Sequence, residues 1–179
     1  MSRSLFGPGT FVLGGGAALM GLFLLVGFLL PGSWEASASA TLDAPPDAVR
    51  ARLDSPEGWS DWTTWPDSTT RSGPARGAGA TLAWSSSELG SGSFRVSEAT
   101  TDRVAYEVTV EGVGGSALRT SGRIVLRAVP EGTHVEWSEE GDLGSNPLMG
   151  WWALSMDRAQ SAELGKSLDR LAEVLRAAR

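Results

Sequence analysis

The chain has 179 residues, no cysteine and a net charge of −6. That length suits one domain of ordinary size plus an extra segment. The missing cysteines exclude disulfides, thiolate metal sites and thiol nucleophiles. Scattered arginines among an excess of acids give no basic stripe, which argues against a nucleic-acid partner. Eight Trp stand against one Tyr, so most of the indoles have to pack somewhere.

Phe11 to Leu30 reads FVLGGGAALMGLFLLVGFLL, without a charge. At about 1.5 Å per residue it predicts a helix of roughly 30 Å, the thickness of a bilayer's hydrocarbon core. A cleaved signal peptide competes with a membrane anchor here, because Ala36-Ser37-Ala38 and Ala38-Ser39-Ala40 satisfy the small-residue rule for cleavage. Trp34 to Leu42, however, alternates apolar and polar residues and predicts a strand, which cleavage within ASASA would cut. The uncleaved anchor is the better account. Arg3 precedes the run, and Glu35, Asp43 and Asp47 follow it before any basic residue. The positive-inside rule then puts the N-terminus in the cytoplasm and the domain on the outer, extracytoplasmic side. The organisation is a flank over 1–10, a single-pass transmembrane helix over 11–30, and one domain over 34–179.

Ala44-Pro45-Pro46 stops the first strand. Pro46 suits the first turn of a helix, with Val49 and Leu53 four residues apart. Ser55-Pro56-Glu57 opens a second short helix carrying Trp59 and Trp62 and ending near Trp65-Pro66. Strand-like runs follow at Ser68–Ser72, Ala80–Ser86, Gly90–Ala99, Arg103–Glu111, Ala117–Val129 and Thr133–Asp142. They are separated by Gly73-Pro74, Gly77-Ala78-Gly79, Gly112 to Gly115 and Pro130-Glu131-Gly132. Connections this short imply an antiparallel meander. Pro147 to Arg176 closes the chain as a long amphipathic helix with Leu164, Leu168, Leu171 and Leu175 on one face. The fold class is therefore α+β, a curved antiparallel sheet gripping one long helix.

Alternation sorts the side chains. Trp84, Phe94 and Val96 point inward from the earlier strands, and Tyr106 and Val108 from the fifth. Leu118, Thr120 and Ile124 point inward from the sixth strand, and Val135 and Trp137 from the seventh. Arg119, Arg123 and Arg127 point outward beside Glu136 and Glu140, where cross-strand ion pairs are expected. Glu139 shares the face of Trp137 and is the exception, a carboxylate among apolar neighbours. Extending the leucine face of the last helix backward adds Ser161, Asp157 and Leu154, which completes a candidate pocket lining. Glu139 and Asp157, with Tyr106 as a donor, are the weak catalytic candidates. His134, the only histidine, falls on the outer face and builds no triad. One histidine and no cysteine supply no metal site, and the glycine clusters open no helix as a phosphate loop must. No cofactor is implied. The Trp59, Trp62 and Trp65 group reads either as packing or as a lid over a ligand, and Trp151 and Trp152 are equally ambiguous.

Ala44-Pro45-Pro46, Trp59-Ser60-Asp61-Trp62, Gly73-Pro74 with Gly77-Ala78-Gly79, Trp84, Gly90-Ser91-Gly92, Gly132 to Trp137 and Met156-Asp157 occur in this order. Together they resemble the SRPBCC or START-like superfamily of polyketide cyclase/dehydrase type, over Trp34 to Arg179, and its subgroup with an N-terminal transmembrane helix. The resemblance implies a helix-grip fold with a deep hydrophobic pocket for lipids, polyketides or other apolar molecules. It transfers no catalytic residue. Three functions are expected in turn. The first is a membrane-anchored binding module for a hydrophobic small molecule or lipid. The second is a cyclase/dehydratase-like enzyme using the pocket carboxylates, and the third a protein-interaction module using the Trp-rich end. Oligomeric state is not legible.

Overall fold

The computed structural model describes residues 8–66, 68–86, 90–111, 117–143 and 146–178, with side chains in the first helix described at 16 and from 18 onward. The Gly112–Gly115 turn and residues 1–7 lie outside the described residues, as do the side chains of residues 8–15 and 17.

Helix α1 (Pro8–Leu29) leads into strand β1 (Ser33–Leu42), followed by the short helices α2 (Pro46–Arg50) and α3 (Pro56–Ser60). The meander is β2 (Thr69–Ser72), β3 (Thr81–Ser86), β4 (Gly90–Ala99), β5 (Arg103–Glu111), β6 (Ala117–Val129) and β7 (Gly132–Asp142). Helix α4 (Pro147–Ala177) ends it. Local chemistry sets the helix starts. Pro56 and Pro147 occupy first-turn positions whose N–H has no intrahelical partner. Ser55 Oγ accepts from the Gly58 N–H at 3.1 Å, and Asn146 Oδ1 accepts from the Leu148 N–H at 2.9 Å.

All seven strands form one antiparallel sheet in the order β1-β7-β6-β5-β4-β3-β2. Each strand of the meander pairs with its successor, and β1 joins the far edge beside β7. A register shift between Val96 and Glu98 bends β4 and curves the sheet. The two open edges are protected differently. β2 is four residues long, polar and exposed, which makes it a poor template for another strand. β1 is covered by α4, whose Asp157 carboxylate and Ser161 hydroxyl accept from the free N–H groups of Glu35 and Ser37, both at 3.1 Å.

The core lies between the concave face and the helices. Leu164, Leu168, Leu171 and Leu175 of α4 are buried, as are Val49 and Leu53 beside α2. Outward, Arg127 pairs with Glu136 at 3.1 Å, one of the expected cross-strand ion pairs. His134 is half-buried on that face, 3.2 Å from Thr41 Oγ1. Asp54 is buried and answered by Arg50 and Arg76, at 3.1 and 2.8 Å.

Among the described residues, no helix is long and apolar enough to cross a membrane. α1 itself runs for 22 residues, and its described apolar side chains are largely exposed, Leu19 and Leu29 above all. Its C-terminal end is not free of the domain. Gly27 and Gly150 of α4 meet so closely that a Cβ on Gly27 would overlap the Pro147 carbonyl, and one on Gly150 the carbonyl of Gly27.

Candidate functional site

The site begins with a row of residues across the sheet. Ala36 of β1 faces Glu139 of β7, Glu139 faces Gly122 of β6, Gly122 faces Tyr106 of β5, and Tyr106 faces Val96 of β4. Glu139 is thus flanked by an alanine and a glycine, which leave empty volume on both sides of its stem. Tyr106 fills one side by lying across Gly122, and a Cβ there would overlap its ring. The phenol consequently reaches Glu139 two strands away and donates to Oε1. Trp137 Nε1 donates to the same phenol oxygen at 2.8 Å, and Gln160 Nε2 of α4 donates to Glu139 Oε2 at 2.8 Å.

Burial dominates the electrostatics. Glu139 is 9% exposed, and desolvation raises its carboxyl above the ordinary glutamate value against the opposing hydrogen bonds from Tyr106 and Gln160. The Tyr106 phenol is pushed well above its usual value, first by burial and then by repulsion from the Glu139 charge, so it remains a neutral donor. The result is an acid that holds its proton over a wider pH range than a surface glutamate.

Glu139 forms part of the wall of an open cleft of about 540 Å³ between β1, β6, β7 and the middle of α4. Ala36, Gly122, Asp157 and Ser161 also line it. Both candidate carboxylates therefore meet one cleft, in unlike settings. Glu139 is buried, whereas Asp157 is exposed at the rim and bound to the Glu35 N–H. The placement of Asp157 is explained by sheet-edge protection alone.

Above the concave face the expected pocket is occupied by the protein's own rings. Trp59 of α3 lies 4.6 Å from Trp62, 4.8 Å from Tyr106, 4.9 Å from Phe94 and 5.6 Å from Trp137, centroid to centroid. Its indole N–H donates to the Leu53 carbonyl at 2.6 Å, and that of Trp62 to the Arg52 carbonyl at 3.2 Å. Phe94, Val96, Ile124, Val135 and Trp137 expose no more than 4% of their surface. They sit on the expected face, but as packed core. Trp84, Val108, Leu118 and Thr120 are half-buried toward the ends of their strands.

Two expectations are corrected. Leu154 is 57% exposed and lies outside the interior, because the buried stripe of α4 passes through Gly150 and Ala153 on an adjacent face. A helix of 3.6 residues per turn drifts by about 20° per seven residues off the alternating three- and four-residue spacing that links Leu164, Ser161, Asp157 and Leu154, so the far end of that row leaves the buried face. Trp59, Trp62 and Trp151 also form no common exposed patch for a protein partner, although Trp152 is 52% exposed. Trp59 and Trp62 are 4% exposed, and Trp151 stacks on Phe23 of α1.

Gln160 escaped sequence reasoning, although it lies four residues before Leu164 and beside Ser161. The signal was the choice between two adjacent helix positions, of which one bonds the carboxyl and the other the β1 edge. The glycine–aromatic pairing was also missed. It recurs at Trp84 over Gly92 and at Trp34 over Gly141, each directly cross-strand.

Comparison with known proteins places this geometry. Residues 33–176 match the family described as polyketide cyclase/dehydrase and lipid transport. The chain belongs to this family. No protein with a curated description matches the sequence. Among solved structures, protein MLL2253 from Mesorhizobium loti superposes with a TM-score of 0.59 at 14% identity, over 81% of this chain and 98% of that one. TTHA0849 from Thermus thermophilus gives 0.59 at 18% identity, over 80% and 98%. The di-domain ARO/CYC protein BexL of the BE-7585A biosynthetic pathway gives 0.56 at 13% identity, over 80% of this chain and 50% of its own. These likenesses show the helix-grip fold. The family match suggests a ligand-binding or cyclase-like module.

Proposed function

We propose that this protein is a membrane-anchored binding module for an apolar molecule bearing one polar group, with residues 11–30 as anchor and Glu139 as the polar contact. The observation that carries the reading is the buried Glu139, fixed by Tyr106 and Gln160 in the wall of the open cleft. A cleft of about 540 Å³ falls within the size range of ordinary ligand sites, and its walls are mostly polar, with Glu35, Ser37, Arg123 and Glu140 beside Glu139. The Glu139 carboxyl and the other polar groups of the wall would hold the ligand's polar end, and each Å² of its apolar part taken out of water would add about 25 cal/mol. The family description, which includes lipid transport, supports the ligand class. The uncharged run from Phe11 to Leu30 supports the anchor, with the N-terminus cytoplasmic and the domain outside.

The test is native mass spectrometry of the full chain released from detergent, together with titration of a fluorescent fatty-acid analogue. Co-purified lipid, and probe binding weakened by Glu139→Ala, are expected. No bound species and no probe binding would refute the reading.

A second reading is an enzyme of the cyclase/dehydratase kind, favoured by the proton-holding acid at Glu139 beside a neutral phenol. Glu139→Gln separates the two. An amide still orients a bound ligand through hydrogen bonds, but it transfers no proton.

A further inference from the structure

The first two turns of α4 are an unusual way to begin the helix that closes this fold. No charged residue occurs between Asp142 and Asp157, and within that stretch Leu148, Trp152 and Leu154 are each more than half exposed. A surface helix in water normally carries charge on its open face. This segment is also fixed against the end of α1. Phe23 and Trp151 stack in parallel, 5.0 Å apart with 2° between planes, and the Trp151 indole N–H donates to the Phe23 carbonyl at 3.1 Å. Gly27 and Gly150 bring the two backbones together one turn further on, where any side chain would hold them apart. The exposed apolar surface of α4 is therefore continuous with that of α1, on which Leu22 and Phe28 are also exposed.

We propose that this face is a membrane-docking surface, and that its occupant is the lipid bilayer at the boundary of headgroups and acyl chains. The proposal rests on the reading of α1 as a membrane anchor, and it adds that the domain dips into the bilayer surface instead of standing clear of it. Three features select lipid as the occupant. The face continues a segment uncharged from Ser4 to Trp34, Trp152 stands exposed on it beside Trp151, and charges return at Glu35, Asp142 and Asp157 around its margin. Asp157 lies about 7.5 Å beyond Trp152 along the helix axis. Asp157 and Ser161 line the Glu139 cleft, so docking on this face puts the cleft mouth at headgroup level. An apolar ligand then passes between bilayer and cleft with little exposure to water.

The cysteine-free chain makes the test direct. Leu22→Cys, Leu148→Cys, Trp152→Cys and Arg119→Cys are each spin-labelled in the full chain, in phosphatidylcholine nanodiscs holding one chain each. Collision with oxygen reports lipid and collision with a water-soluble nickel chelate reports water. The expected result is oxygen-dominated contact at Leu22, Leu148 and Trp152, and nickel-dominated contact at Arg119. Lipid contact at Leu22 with water contact at Leu148 and Trp152 leaves the anchor standing and overturns the docking surface. Water at Leu22 with lipid at Leu148 and Trp152 supports the docking surface and refutes the anchor. Protection of Leu148 and Trp152 from both reagents assigns the face to protein and overturns the proposal.

Discussion

Replacing Gly122 by alanine tests the construction of the Glu139 site at its narrowest point. The added Cβ falls within the Tyr106 ring, overlapping Cζ, Cε1 and Oη. Carbon atoms rest about 3.5–4.0 Å apart, so the ring has to retreat by roughly 1 Å or more. It is 2% exposed and walled by Trp59 at 4.8 Å and Phe94 at 5.3 Å, so retreat means repacking the aromatic cluster. Overpacking of this kind costs about 1–3 kcal/mol. Displacing the phenol oxygen also breaks its hydrogen bond to Glu139, worth about 1.5–3 kcal/mol when the partner is charged. A total of about 2.5–6 kcal/mol corresponds to a fall in Tm of roughly 5–25 °C, at about 2–4 °C per kcal/mol for a chain of this size. Thermal unfolding of the full chain in detergent, followed by near-ultraviolet circular dichroism of the indoles, measures it. The same substitution in a Tyr106→Ala background is the control, because the clash is absent there. An equal loss in both backgrounds would refute the account, as would an unchanged Tm in the single variant.

Three further outcomes are expected. Glu139 has a raised carboxyl value, so its contribution to stability is full below the ordinary glutamate value and is lost as pH rises through the folded one, at about 1.4 kcal/mol per pH unit of displacement. Tm measured from pH 4 to pH 8 should therefore fall in the parent relative to Glu139→Gln, and parallel curves would contradict the buried acid. Trp59→Ala removes the ring that touches Trp62, Phe94, Tyr106 and Trp137. It should cost about 3–5 kcal/mol in urea unfolding and increase binding of an apolar dye, the cavity taking up what the indole filled. Asp157→Ala with Ser161→Ala leaves the Glu35 and Ser37 N–H groups of β1 without their acceptors. Faster amide hydrogen exchange at those two positions is the expected readout, with the β5–β6 pairing unaffected.

Much of this architecture was legible in the sequence because it depends on local periodicity. The strands from Gly90 to Ala99, Arg103 to Glu111 and Ala117 to Val129 form over the predicted residues. Their two-residue alternation and glycine turns leave one register that buries an apolar face. Glu139 stood out by the same rule, since a carboxylate two residues from Trp137 breaks the pattern. The start of α4 was legible from Pro147, but the face it presents was not, because rotational drift along a helix is decided by what it packs against.

Tertiary structure decided whether an inward-facing side chain lines a cavity or fills it. Alternation put Phe94, Val96, Ile124, Val135 and Trp137 on the concave face, where Trp59 of α3 then packs over them. That outcome depends on where α3 docks, and no local pattern encodes the docking. The partnership of Tyr106 with Glu139 likewise needs a glycine on the strand between them, a coincidence of register across three strands. The strands, their faces and the inward acid were readable without the fold, because they follow from chain geometry one residue at a time. The close crossing of α1 and α4 at Gly27 and Gly150, the cleft beside Glu139 and the hydrogen bonds that hold its carboxyl were decided only by folding. Each of these depends on distances between residues remote in the chain.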